Sequence, residues 1–312
     1  MRVEEELNQL SPEKDMLLAV GVFDGVHLGH KYLLSQLVEQ AGKEALLSGV
    51  VTFRQHPREV LSPGTELPYL TTFDQKVDLL KKEVIDTVVS LSFTPELARL
   101  TAREFILLLK KHLRMCGLVV GPDFTLGRGR EGNTDALRQL GQELGFSMTV
   151  ISPRMIGGEM VSSTAIRNAL ADGKIEKVAK LLGRPYSLQN TVTTGAGRGT
   201  GLGFPTANLE MDQRQALPPD GVYATWAYVN GQAYESMTNI GRRPTFGENE
   251  RNIEVFLLNY HGNLYNQEMK VDIVARLREE KRFDTVDELK KQITEDVKRG
   301  KAILSTQNKE SV

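Results

Sequence analysis

The chain changes its hydrophobic period once, at Gly183-Arg184-Pro185, and that switch constrains its architecture more than any other feature. Before it, apolar runs of strand length alternate with segments of helical spacing. After it come short runs rich in Val, Thr and Tyr, separated by Gly, Pro and Asn. The two patterns bury different faces and need different packing partners. The chain is therefore expected to fold as two domains, 1–184 and 185–312. Its 312 residues leave each half enough apolar material for a core of its own.

In the first half, residues 17–23 (LLAVGVF), 45–53, 87–93, 118–120 and 148–151 read as strands. Helical spacing occupies 30–41 and the region near 135–144. Thr72 with Gln75, and Thr101 with Glu104, have the spacing of capping boxes. Strands alternating with helices predict an α/β fold with a doubly wound parallel sheet, which binds ligands beyond the carboxyl ends of its strands. Residues 162–182 read as two short helices broken at Asp172-Gly173. From Tyr186 to about Val274 the pattern is that of a small antiparallel barrel or sandwich. A helix over 286–299, with Thr285 as its cap, closes the chain.

Charge narrows the function. Lys and Arg number 39 against 40 Asp and Glu, and the balance holds in both halves, so neither is a basic nucleic-acid module by composition. The lone Cys116 can form neither an internal disulfide nor a multi-cysteine zinc site. The start, MRVEEELNQL, has no apolar signal core, and no apolar run approaches the ~20 residues of a membrane span. A soluble cytoplasmic protein is expected.

The first strand runs straight into Asp24-Gly25-Val26-His27-Leu28-Gly29-His30, where a helix begins. Glycines at such a turn let backbone approach a phosphate, and a helix N-terminus favours anions. Two of the five histidines fall at this one strand end. The segment resembles the H-x-G-H signature of the nucleotidylyltransferase superfamily, which transfers a nucleotidyl group from a nucleoside triphosphate. Ser162-Ser163-Thr164-Ala165-Ile166-Arg167 resembles that superfamily's triphosphate-binding helix start. By this resemblance His27 and His30 are catalytic, and Gly21, Phe23, Asp24, Gly25, Gly29, Ser163, Thr164 and Arg167 bind ATP. Two further strand ends carry His56, before Pro57, and Asp123-Phe124 in a Gly-rich stretch. His56 reads either as a simple pre-proline turn residue or as a site residue. Asp123 can hold a metal or a ligand hydroxyl and Phe124 can stack on a ring, or the stretch is an ordinary Gly-rich connection.

In the second half, glycines alternate from Gly195 through Gly197 to Gly203, in neither a P-loop nor a Rossmann spacing. The run is either a linker or a flap over phosphates. Phe204-Pro205-Thr206-Ala207-Asn208 then resembles the P-T-A-N motif of riboflavin kinases. On an extended segment Thr206 and Asn208 share a face and offer neutral oxygens suited to Mg²⁺ beside ATP. Asn239-Ile240-Gly241-Arg242-Arg243-Pro244-Thr245 and the stretch 276–284 also resemble that family. Glu254, inside an otherwise apolar strand, is either a solvent-facing residue or, by the resemblance, the catalytic base.

Together the motifs resemble the bacterial bifunctional riboflavin kinase/FAD synthetase family over about residues 15–305. The resemblance implies that the second half phosphorylates riboflavin to FMN and that the first joins AMP from ATP to FMN, giving FAD and pyrophosphate. It implies Mg²⁺ with ATP as co-substrate, and flavins as substrates and products. It assigns Gly197 and Gly203 to ATP, and His56, Asp123, Phe124, Asn239, Arg243, Arg278 and Phe283 to flavin. Nucleic acid, membrane and an obligate protein partner are not implied. The chain departs from the family pattern at Arg54-Gln55, at Leu126 and over residues 192–196. A nucleotide-binding regulator without turnover and an RNA-binding barrel are the competing classes. The intact motifs weigh against the first and the neutral charge against the second.

Overall fold

The computed structural model describes residues 3–10, 12–62, 64, 67–194, 203–210, 212, 214–242 and 251–307. Internal contacts divide it into two compact units, Met1–Ser163 and Thr164–Val312.

In the first unit, β1 (Met16–Val20), β2 (Leu47–Phe53), β3 (Thr87–Leu91), β4 (Met115–Val120) and β5 (Ser147–Val150) pair in parallel, in the order β3-β2-β1-β4-β5. The sheet is flanked by α1 (Val3–Asn8), α2 (Leu28–Lys43), α3 (Pro57–Leu61), α4 (Phe73–Lys81), α5 (Pro95–Arg99), α6 (Ala102–Leu113) and α7 (Thr134–Leu144). A parallel strand covered on both faces must be apolar throughout, and all five residues of β1 are buried. Leu17 and Ala19 pack with Leu34 and Leu37 of α2 and Leu80 of α4. Met16, Leu18 and Val20 pack on the other face with Leu7 of α1 and Ile106 of α6. The sheet is thus doubly wound, and strand order reverses between β1 and β4. That reversal opens a crevice at their carboxyl ends. A two-stranded hairpin, β6 (Met155–Ile156) and β7 (Glu159–Met160), closes the unit.

Both expected capping boxes form. Gln75 and Glu104 donate their N–H groups to Thr72 and Thr101 Oγ1 at 3.3 and 3.2 Å, and the threonine N–H groups donate back to the glutamine and glutamate side chains. The strand expected over 17–23 stops at Val20, and the helix expected from residue 30 starts at Leu28. The cause is a tight turn between them, in which His27 caps α2.

The second unit opens with α8 (Ser163–Ala171) and α9 (Ile175–Leu182). The expected break lies between them, where Gly173 adopts φ +71°. There follow β8 (Tyr186–Thr193), β9 (Ala207–Leu209), β10 (Gly221–Val229), β11 (Gln232–Arg242), β12 (Arg251–Leu257) and β13 (Glu268–Arg278). They form a closed antiparallel barrel in the order β10-β11-β12-β9-β8-β13. Of the barrel and sandwich expected, the barrel is what forms. The closing helix α10 (Val286–Gln307) is capped by Thr285, whose Oγ1 accepts the Glu288 N–H at 3.2 Å. It runs beyond the expected end at 299 because its apolar stripe continues. Leu304 is fully buried in a cluster with Val222, Ala224, Met237 and Leu277.

Candidate active sites

At the end of β1 the backbone takes rarely used conformations. Phe23 (φ +52°) and Val26 (φ +36°) are left-handed although neither is glycine. Such residues cost about 1–3 kcal/mol each and persist only where the surroundings over-determine them. Both are buried here, and Asp24 between them is anchored. Its carboxylate accepts the backbone N–H groups of Leu70 (2.9 and 3.0 Å) and Thr71 (3.2 Å). Gly25 N–H donates to Thr71 Oγ1 at 3.1 Å, and Ser163 Oγ donates to the Asp24 carbonyl at 2.9 Å. Asp24 and Ser163 therefore spend these groups on holding the turn.

That turn delivers the two histidines. His27 Nδ1 accepts the His30 N–H at 3.2 Å, which places the ring's proton on Nε2. The two rings stack at 3.6 Å, and Phe23 meets His30 edge-on at 5.2 Å. Gly29 permits this: a Cβ there would lie 3.0 Å from the Val161 carbonyl oxygen and 3.1 Å from the His27 ring. Burial, with His27 and Lys76 nearby, holds His30 well below its ordinary pKa. His30 is thus a neutral hydrogen-bonding group at neutral pH.

The neighbouring strand ends differ in what they leave available. Gly21 N–H continues the β1–β2 ladder to the Val51 carbonyl at 3.0 Å. His56 caps α3, its Nδ1 accepting the Arg58 N–H at 3.1 Å. Gln55 Oε1 accepts the Phe93 N–H at 3.2 Å, and the Arg54 guanidinium lies 5.1 Å from the Phe73 ring centre. After β4, Asp123 is exposed, whereas Phe124 is half-buried against the core below the sheet edge. Thr164 and Arg167 lie on α8, in the second unit. Lys76, which no sequence spacing marks, is buried on α4 and donates to the Phe53 carbonyl at 2.6 Å.

In the barrel, strand pairing assembles the second constellation. One rung runs Arg278, Val222, Asn239, Glu254, Asn208, Thr193, each residue directly opposite the next. Opposed residues share a face, so Asn208, Glu254 and Asn239 are brought together by register alone. Asn252, two residues before Glu254 and hence on its face, donates Nδ2 to Glu254 Oε1 (2.8 Å) and to Asn208 Oδ1 (3.2 Å). Sequence reasoning missed Asn252; its i, i+2 spacing from Glu254 is the signal that could have found it.

Thr206, Asn239, Glu254, Arg278 and Phe283 line a cleft of about 450 Å³ whose apolar walls include Phe204, Met237 and Phe256. A second cleft, of about 350 Å³, is lined by Pro205, Thr206, Ala207, Tyr260 and Tyr265. Thr206 belongs to both. Gly203, at φ +86°, turns the chain just before it. Arg278 holds Asp296 of α10 through two nitrogens, Nε at 2.9 Å and a terminal nitrogen at 2.8 Å, and its guanidinium lies 5.8 Å from the Phe283 ring centre. Glu280, also missed, lines the same cleft; burial and Asp220 push its carboxyl above the usual range. Gly197 and Arg243 lie outside the described residues.

Comparison with known proteins matches residues 10–165 to the FAD synthetase family and residues 182–304 to the riboflavin kinase family. The bifunctional riboflavin kinase/FMN adenylyltransferase of Escherichia coli K12 is 38% identical over 288 residues, 92% of each chain. That of Pseudomonas fluorescens is 36% identical over 308 residues, 98% of each chain. The crystal structure of a protein from Streptococcus pneumoniae named as a macrolide-efflux protein superposes with a TM-score of 0.87 at 29% identity, covering 95% of this chain and 96% of that one. Efflux is said of that protein alone; among the described residues here, no helix is long and apolar enough to cross a membrane. The sheet unit and the barrel unit thus each meet their own family, in the same order as in relatives aligned over nearly the whole length, and the chain belongs to the bifunctional riboflavin kinase/FMN adenylyltransferase family.

Proposed function

We propose that riboflavin is phosphorylated where Thr206 joins the two barrel clefts, and that FMN is adenylylated over the His27–His30 pair. The two activities themselves follow from the family: riboflavin kinase in the C-terminal half and FMN adenylyltransferase in the N-terminal half, both consuming ATP. The observation that carries the kinase assignment is the rung Asn208–Glu254–Asn239 beside Thr206, which lines both clefts.

Glu254 is the base. Its carboxylate takes the proton of the riboflavin 5′-hydroxyl as that oxygen attacks the γ-phosphorus and ADP leaves. Asn252 steadies Glu254 and Asn208 together through one amide. Among the described residues no group of three or more His, Cys, Asp or Glu is placed to hold a metal ion unaided. The donor set fits Mg²⁺ nonetheless, because Thr206 and Asn208 offer hard neutral oxygens and ATP phosphates supply the rest. When bound, the ion neutralises charge on the transferring phosphate. The larger cleft, with its apolar walls and Asn239 and Phe283, receives the flavin, and the smaller receives ATP.

In the sheet unit, an FMN phosphate oxygen attacks the α-phosphorus of ATP and pyrophosphate leaves. His27 and His30 donate to phosphate oxygens on which negative charge grows, with Gly25 and Gly29 leaving room for close approach. By the resemblance, Thr164 and Arg167 are assigned to the triphosphate. His56, Asp123 and Phe124 lie on connections that follow β2 and β4, and contribute to flavin binding there. By motif the two activities are assigned to 1–184 and 185–312, while the compact barrel unit takes in α8 and α9 from Thr164 onward. The enzyme is assigned to the cytoplasm with no obligate partner.

Two single variants test the assignment. Glu254→Gln should abolish FMN formation from riboflavin and leave FAD formation from supplied FMN intact. His30→Ala should let FMN accumulate and lower FAD output about 10²–10³-fold, the usual worth of one such donor. The opposite pattern, or no pattern, would sink it.

A further inference from the structure

Lys76 plays no part in the reaction as described above, yet it is the least ordinary charged group in the first unit. It is 6% exposed, on α4, with its head at the carboxyl edge of the sheet. Its contacts among the described residues are a hydrogen bond to the Phe53 carbonyl at 2.6 Å and the face of Phe73, with Nζ 5.6 Å from the ring centre. An ammonium has three donors, and this one spends one of them on a neutral acceptor. Buried charges are ordinarily paired with an opposite charge. The carboxylate near enough to influence it, Asp24, is engaged by the backbone of Leu70 and Thr71. Lys76 also lies close enough to His30 for its charge to disfavour protonation of that ring.

The position gives the charge a use. Phe53 ends β2, Asp24 follows β1 and His30 sits in the first turn of α2. These are the ends at which a doubly wound sheet receives anions. His30 is neutral, so it supplies donors without net charge. A phosphate brought here would meet a buried cation already desolvated, and such a pairing is strong because little hydration is left to lose.

Resting on the adenylyltransferase reading above, we propose that Lys76 is a phosphate-binding residue of that site, trading contacts with Phe53 and Phe73 for a phosphate oxygen of FMN or of ATP. Both sources share one chemistry, an oxyanion at the ends of β1 and β2.

The proposal has a readout that a purely structural lysine would not move. Burial holds the Lys76 pKa near 8 in the free protein. A bound phosphate raises it, so binding at pH 8 takes up a fraction of a proton. The groups facing Lys76 that could confuse this are Asp24 from the β1–α2 turn, His30 from α2, and Arg54, which shares the Phe73 ring. Burial holds His30 uncharged at that pH. The experiment is calorimetric titration of the full chain at pH 8, in buffers of different ionisation enthalpy. FMN alone and Mg-ATP alone are the probes, applied to wild type, Lys76→Met, Lys76→Arg and Lys81→Met as an exposed control on the same helix.

Wild type and Lys81→Met should show proton uptake with at least one probe; which probe identifies the phosphate. Lys76→Met and Lys76→Arg should both lose it. In steady state, Lys76→Met should raise KM for the same substrate roughly ten- to hundredfold, and Lys76→Arg should recover part of that. Proton uptake equal in wild type and Lys76→Met overturns the proposal. So does unchanged FMN and ATP dependence in a Lys76→Met chain of native circular dichroism. Loss of the Glu254 and His30 effects predicted above would instead overturn the site reading itself.

Discussion

Lys76 also carries a stability prediction whose size can be worked out. Its pKa falls from 10.5 to about 8, chiefly through burial. One pKa unit corresponds to about 1.36 kcal/mol, so at pH 7 the buried charge destabilises the fold by about 3 kcal/mol. The folded protein binds this proton less tightly than the unfolded chain does, so the penalty is complete below pH 8 and disappears above pH 10.5. Lys76→Met removes the penalty but leaves the Phe53 carbonyl without its donor, a loss of about 1–3 kcal/mol. The variant should therefore equal or exceed wild type at pH 7, by up to about 2 kcal/mol. By pH 10 it should fall behind, because wild type recovers about 2–3 kcal/mol as Lys76 no longer needs to be charged. Urea titrations followed by far-ultraviolet circular dichroism at pH 7, 8.5 and 10 measure this. A difference between variant and wild type that stays constant over that range would refute the reasoning.

Three further outcomes follow from particular contacts. A fragment of residues 164–312 should fold and phosphorylate riboflavin, whereas residues 186–312 should be markedly less stable, because Leu181 and Leu182 of α9 are 2% and 1% exposed; equal melting temperatures for the two would contradict this. Gly29→Ala should press a Cβ against His27 and lower FAD formation roughly tenfold with little loss of stability, a result read from KM and kcat for FMN; unaltered kinetics would show that the ring has room to move. Asn252→Leu should lower kcat for riboflavin phosphorylation more than it raises KM, since it frees Glu254 and Asn208 without altering the cleft walls; a change confined to KM would contradict that role.

What could be read from the sequence was local. The capping boxes at Thr72 and Thr101 depend on residues three apart, and both form as expected. The H-x-G-H and P-T-A-N stretches are likewise continuous, and each lies where its strand ends or begins. Strand limits were less legible, because the turn after β1 uses left-handed Phe23 and Val26, which propensity disfavours. Asn252 is signalled only by its i, i+2 spacing from Glu254, and barrel register is what brings it to Asn208. Glu280 lies within the 276–284 stretch, and the chain after β13 brings it to the cleft. Nothing in the sequence marks Lys76; only the packing of α4 on the sheet buries it. His56 stood between a pre-proline turn and a flavin contact, and its ring nitrogen is engaged in the turn as a helix cap.

The central claim is that one chain carries out both reactions in succession. Its most direct test is to incubate the purified full-length protein with riboflavin and Mg-ATP and resolve the products by chromatography over time. The account predicts that FMN appears first and FAD follows, with ADP formed in the first step and pyrophosphate in the second. Riboflavin left unconverted, together with no FAD from supplied FMN, would contradict it.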